Sequence, residues 1–223
     1  PAMPDTSRPT TRDLVLVPAI ITLGVTALRL VGELQHWSST LFNRAGGGGF
    51  AIIGISWLPF VFGVYFAVRL ARAGEGPASK GKAIGMTVLG FAILMASVFT
   101  ASKLGAPQTG AILTACFAAL VGGFVASRGW PALGRTLFVY GLAARVPVAA
   151  LMLPAIIGKW GTHYDALPPN FPAMGPVQTW LLIGLLPQMT LWIGLTLLTG
   201  MLVGSITGAI VGGRRREAVP TAA

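Results

Sequence analysis

Six acidic residues and two histidines among 223 leave few groups able to do chemistry, and one basic residue stands out by its surroundings. Arg145 sits inside a long apolar run with no acidic residue near it in sequence. A guanidinium is permanently charged, and its planar fork grips two oxygens of a carboxylate or phosphate at once. Placed near the middle of a bilayer it costs about 2.5 to 3.5 kcal/mol or more, so it must face protein or a wet cavity. Pro147 and Pro154 lie in the same run and remove backbone donors, leaving the carbonyls of Ala143 and Ala150 as acceptors. Two readings follow for Arg145: a structural charge held by those carbonyls, or a contact for an anion, a substrate or a lipid headgroup.

Arg29 and Glu33 are spaced i, i+4 and can pair on one helix face near a membrane interface. Glu33 is the only acidic residue inside an expected helix, which also makes it the carboxylate available to Arg145 from within this chain. His36 and His163 could together ligate a haem or share in a metal site, but neither falls in a helix interior and no carboxylate–histidine spacing recurs, so no cofactor is expected. His163, Tyr164 and Asp165 follow one another in a proline-rich stretch and could form an external binding surface. No Ser–His–Asp order, HExxH pair, phosphate loop or dinucleotide fingerprint occurs. A single cysteine, Cys116, excludes an intrachain disulfide.

One pattern concerns packing. Gly200, Gly204, Gly208 and Gly212 repeat at i, i+4 and would leave a flat groove along one helix face. Such a groove lets another backbone approach closely, whether from this chain, a second copy or a partner protein.

The elements that must position these groups can be read from composition. The chain is 54% hydrophobic and only 10% charged, too few charges to clothe a surface in water. Its apolar residues fall in blocks of about 20, the length that crosses ~30 Å of hydrocarbon. The pattern predicts an all-α integral membrane protein, a six-helix transmembrane bundle, with helices near residues 14–34, 50–70, 83–101, 109–127 and 133–157. The last block, residues 177–213, is uncharged for 37 residues and would run ~55 Å as one helix. An interfacial or re-entrant segment over 177–187 on the outer side, then one crossing to 211 with Leu197 facing lipid, resolves the excess. Residues 1–13 and 214–223 are expected as cytoplasmic tails flanking a single domain over 14–213, and Gly46 to Gly49 as a hinge.

Orientation follows from the basic residues. Six crossings place Arg8, Arg12, Arg69, Arg72, Lys80, Lys82, Arg128, Arg135 and Arg214 to Arg216 on one side and Arg44, Lys103 and Lys159 on the other, so both ends are cytoplasmic. Trp37, Trp160, Tyr164 and Trp180 would mark the outer interface and Trp130 the inner one. The formal charge of +10 then points to anionic lipid headgroups on the cytoplasmic side and not to nucleic acid, because no basic stripe is interleaved with aromatics. A bacterial-type inner membrane is the expected location.

Three functions are compatible with these residues. A non-catalytic membrane subunit or scaffold would pack other helices, in a homo-oligomer or with a partner membrane protein, through the glycine row. A small transporter or lipid-handling protein would use Arg145 as its anion contact. A membrane enzyme would use His163, Asp165 and Glu33 at the outer face.

Overall fold

The structure, a computed structural model, describes residues 10–46, 51–169 and 171–217, with side chains described as far as residue 211. The terminal segments 1–9 and 218–223, Gly47 to Gly49 of the glycine run, and the side-chain surroundings of Gly212 lie outside the described residues.

The described residues are helical, without a strand. Helix α1 (Thr11–Leu34) starts earlier than expected, shortening the N-terminal tail. The reason is a capping box: the Thr10 hydroxyl accepts from the Asp13 amide, and the Asp13 carboxylate accepts from the Thr10 amide at 3.0 Å. Helix α2 (Leu58–Arg72) starts later than expected, because Pro59 favours the first helical turn and disfavours helix before it. Residues 51–57 form turns, tied back by Ile53 donating to the Leu41 carbonyl at 3.0 Å. Helices α3 (Lys80–Lys103), α4 (Gln108–Ser127) and α5 (Pro131–Gly158) follow the expected blocks closely.

The last apolar block is divided. Helix α6 (Pro176–Thr179) widens into a π-helical stretch (Trp180–Leu185), continues as α7 (Leu186–Met189), breaks at Thr190 (φ −120°, ψ −71°) and resumes as α8 (Leu191–Glu217). Pro187, which can neither donate nor tolerate a normal helical turn before it, lies between the widened turn and the break. Five helical stretches are long and apolar enough to span a membrane: Thr11–Leu34, Lys80–Lys103, Gln108–Ser127, Pro131–Gly158 and Pro176–Val211. The architecture is that of a helical, multi-pass membrane protein. Helix α2, at 15 residues or ~22 Å, falls short of the hydrocarbon thickness.

Helix α8 packs against α2, α3, α4 and α5, and small residues make that possible. A Cβ added at Gly63 would stand 2.7 Å from the Gly200 carbonyl oxygen; one at Gly123 would stand 3.0 Å from that of Gly194. Gly90 and Gly122 bring α3 and α4 together just as closely, and Gly194 meets the backbone of Ala119. Of the glycine row, Gly200 faces Leu137, Gly204 faces Leu133 and Gly208 faces Trp130, all on α5 or its N-terminal boundary. The groove at these three residues is therefore filled by the chain itself. Leu197 does not face lipid; it is wholly buried over Gly123. Trp130, at the N-terminal boundary of α5, is 1% exposed and packed within the protein, and its indole donates to the Glu75 carbonyl at 2.7 Å.

The helix ends sort into two groups. At one end Arg29 and Glu33 of α1 meet the loops before α2 and after α5, with Gly46 lying against Ala166 and Leu167. At the other, Lys80 at the start of α3 donates to the Ala209 carbonyl of α8 at 2.7 Å.

Candidate functional site

The first end gathers a charged cluster. Glu33, 1% exposed, receives the Arg29 Nε at 2.7 Å. It also receives the backbone amide of His163 at 2.8 Å, and the His163 Nδ1 lies 2.6 and 2.8 Å from its two oxygens. Arg29 further donates through Nη2 to the Asn43 carbonyl at 2.9 Å. The α1 spacing thus supplies the pair, and the loop after α5 supplies the third member. Burial holds the His163 imidazole below its ordinary value, and the nearby Arg29 charge adds to this, against the opposing pull of Glu33 and Asp165. The ring is therefore neutral near pH 7, and its Nδ1 carries the hydrogen given to the carboxylate.

Tyr164 lies against the His163 ring at 3.9 Å between centroids and is buried, which pushes its phenol above the usual range. Asp165 turns away from the cluster into its own loop. Its carboxylate accepts from the Thr162 amide at 2.7 Å, the Thr162 hydroxyl at 2.7 Å and the Gly161 amide at 2.9 Å. That brace accommodates two left-handed residues, Lys159 (φ 48°) and Gly161 (φ 69°). The expected outer surface of His163, Tyr164 and Asp165 is thus split between a half-buried imidazole, a buried phenol and a turn. The His36 Nδ1 lies 2.8 Å from Arg44 and 3.1 Å from the Glu33 carbonyl oxygen.

Arg145 occupies a different environment. It is 4% exposed at the middle of α5, ~20 Å from either end of that helix. Its guanidinium carbon stands 4.7 Å from the centroid of the Trp192 ring, and its Nε is buried without a hydrogen-bond partner. No carboxylate pairs with it among the described residues, since Glu33 is committed to Arg29 and His163. Nor does it hydrogen-bond to the carbonyls of Ala143 and Ala150. Both structural partners expected from sequence are therefore replaced by one aromatic face.

Both environments border a cavity of about 440 Å³. Arg29, His163 and Tyr164 line it, as do Arg145, Trp192 and Gln188 of α7. Most of the remaining wall is apolar, including Ile112, Val148, Met152 and Leu182. Gln188 is 8% exposed; its Nε2 contacts the Met152 sulfur at 3.8 Å, and its Oε1 is buried without a partner. Because a thioether sulfur accepts and never donates, the amide nitrogen belongs on the sulfur and the oxygen is the unpaired end. Gln108 and Ala111, at the start of α4, also line the cavity and are exposed.

Trp192 and Gln188 were not singled out from the sequence. The available signal was an amide beside a proline within a 37-residue uncharged block, where polar side chains carry a cost. Comparison with protein-family models, characterised proteins and solved structures found no match.

Proposed function

We propose that this protein binds an amphiphilic anion, as a lipid-handling protein or small transporter does, with Arg145 as the contact for the anionic group. The observation that carries the reading is a guanidinium buried to 4% exposure, with an unpaired Nε and no carboxylate partner among the described residues, on the wall of a largely apolar cavity. Stacking on Trp192 offsets part of its desolvation, by about 2 kcal/mol or more. That leaves the donors of the fork for a ligand. The scaffold reading is the weaker one, because the described part of the glycine row is already covered by α5 and α2.

The proposal includes the topology. Six crossings are counted with α2, whose outer end is extended by the turns at residues 51–57, and both termini are cytoplasmic in a bacterial-type inner membrane. Eleven basic residues against three support that orientation. So does the separation of Arg29 and Glu33 at one end of the bundle from Lys80 and α8's last turns at the other. The cavity then lies in the outer half of the bilayer, with its exposed wall at the start of α4.

The test is native mass spectrometry of the detergent-purified protein, reading co-purified amphiphiles. Wild type should retain an anionic amphiphile that Arg145→Met loses while staying folded. Arg145→Lys should recover little of it, since a point charge does not reproduce the planar fork. Equal retention by wild type and Arg145→Met would overturn the reading.

A further inference from the structure

Resting on that reading, we propose that the ligand is a monoanionic phosphodiester lipid whose headgroup carries a free hydroxyl, of the phosphatidylglycerol kind. Three features of the cavity wall narrow the class. The first is charge. Of the two guanidiniums that border the cavity, Arg29 is matched by Glu33 at 2.7 Å and Arg145 has no carboxylate among the described residues. One surplus positive charge matches one negative charge on the ligand; a phosphomonoester, close to a dianion at neutral pH, would bring a second charge into an apolar surround without a counterpart.

The second feature is the kind of hydrogen bonding on offer. Arg145 presents donors, as two oxygens of a phosphate or carboxylate require. Gln188 holds the opposite: a buried acceptor oxygen with nothing donating to it. An ionised fatty-acid carboxylate has no donor to give, and a phosphodiester capped by a methyl group has none either. A headgroup hydroxyl supplies the missing donor. Gln188, Arg145 and Trp192 line the same cavity, so one ligand can present its anion to the arginine and a hydroxyl to the amide. Polar sites built in this way discriminate by the group left unpaired when the wrong ligand enters.

The third is the wall itself. Ile112, Val148, Met152 and Leu182 give a free glycerophosphate nothing to recognise, whereas an acyl chain would cover them.

The experiment measures binding of defined lipids to the delipidated full chain in a neutral detergent, by native mass spectrometry titration and thermal shift. The probes are phosphatidylglycerol, phosphatidylmethanol, phosphatidic acid and oleate, with water-soluble glycerophosphoglycerol as the chain-free control. Phosphatidylglycerol should bind roughly five- to tenfold tighter than phosphatidylmethanol, about the worth of one hydrogen bond to a buried neutral acceptor. Phosphatidic acid and oleate should also bind more weakly than phosphatidylglycerol, and the soluble control should give no shift. Gln188→Leu should bring the phosphatidylglycerol advantage below about twofold while leaving phosphatidylmethanol bound, which separates loss of the hydroxyl contact from loss of fold. Equal affinity for phosphatidylglycerol and phosphatidylmethanol, with both still abolished in Arg145→Met, would overturn this inference and leave the anion site standing. Binding of every lipid unchanged in Arg145→Met would overturn the anion site as well. A shift by the soluble control equal to that of the lipid would overturn the assignment to an amphiphile.

Discussion

Two arginines border one cavity, and they are buried to the same degree, 5% exposed for Arg29 and 4% for Arg145, yet their surroundings differ in kind. Arg29 has what a buried charge ordinarily requires: a carboxylate one turn away and a backbone carbonyl at 2.9 Å. That carboxylate is itself completed by the amide and ring of His163. Arg145 has the face of one indole. The first arrangement shows that this fold can satisfy a buried guanidinium within its own chain. The incomplete coordination of the second is thus a property of that position, and it is the observation on which the ligand proposal rests.

The difference is tested most severely at Glu33. Glu33→Gln removes the charge that matches Arg29 and offers an amide group where two donors of His163 arrive, so the protein should lose about 3 to 5 kcal/mol, the usual result of breaking a buried pair from one side. Thermal melting in detergent should place this variant far below wild type. A loss under about 1 kcal/mol would mean that the cluster does not hold the helix end to the loops.

A smaller effect distinguishes the two arginines directly. Compared as delipidated proteins, so that loss of a bound ligand does not enter, Arg145→Met should leave stability unchanged or raise it by about 1 kcal/mol, because the variant loses a costly buried charge and strands no partner. Combining it with Glu33→Gln should add the two effects to within about 0.5 kcal/mol, as for independent sites. Were Glu33 the counter-charge of Arg145, the double variant would instead recover stability relative to Arg145→Met alone.

Sequence made some of this plain and hid the rest for physical reasons. Block length and turn residues placed α1, α3, α4 and α5 to within a few residues, because a membrane helix must satisfy its backbone internally over a fixed span. The i, i+4 spacing brought Arg29 to Glu33, but nothing local connects residue 33 with residue 163. That contact depends on how α1 and α5 end side by side. Similarly, the row from Gly200 to Gly212 was visible as a repeat, whereas Gly63, Gly90, Gly122 and Gly194 are single residues whose role appears only when their opposite numbers are known. Arg145 was recognisable as an anomaly from its own surroundings. Its stacking on Trp192 was not, since that contact spans two helices and a helix break.

The smallest expected effect sharpens the description of the satisfied cluster, and it concerns His163. Burial keeps this imidazole below the value of about 6.5 that it regains on unfolding. As pH falls through 6.5 the unfolded chain takes up a proton that the folded chain still refuses. The contribution of His163 is therefore fully present above that point and is lost progressively down to the folded value, where the loss levels off. His163→Asn keeps the backbone amide on Glu33 and a side-chain N–H able to replace Nδ1–H, but it cannot titrate. Melting temperatures of both proteins at pH 7.5 and 5.5 isolate the residue, since Glu33, Arg29 and Asp165 are common to the two. Wild type should lose more stability on acidification than the asparagine variant does. Equal losses would show that His163 keeps its ordinary value. A wild type that gains stability in acid relative to the variant would show the pull of Glu33 exceeding the effect of burial, and the cluster would then hold an imidazolium.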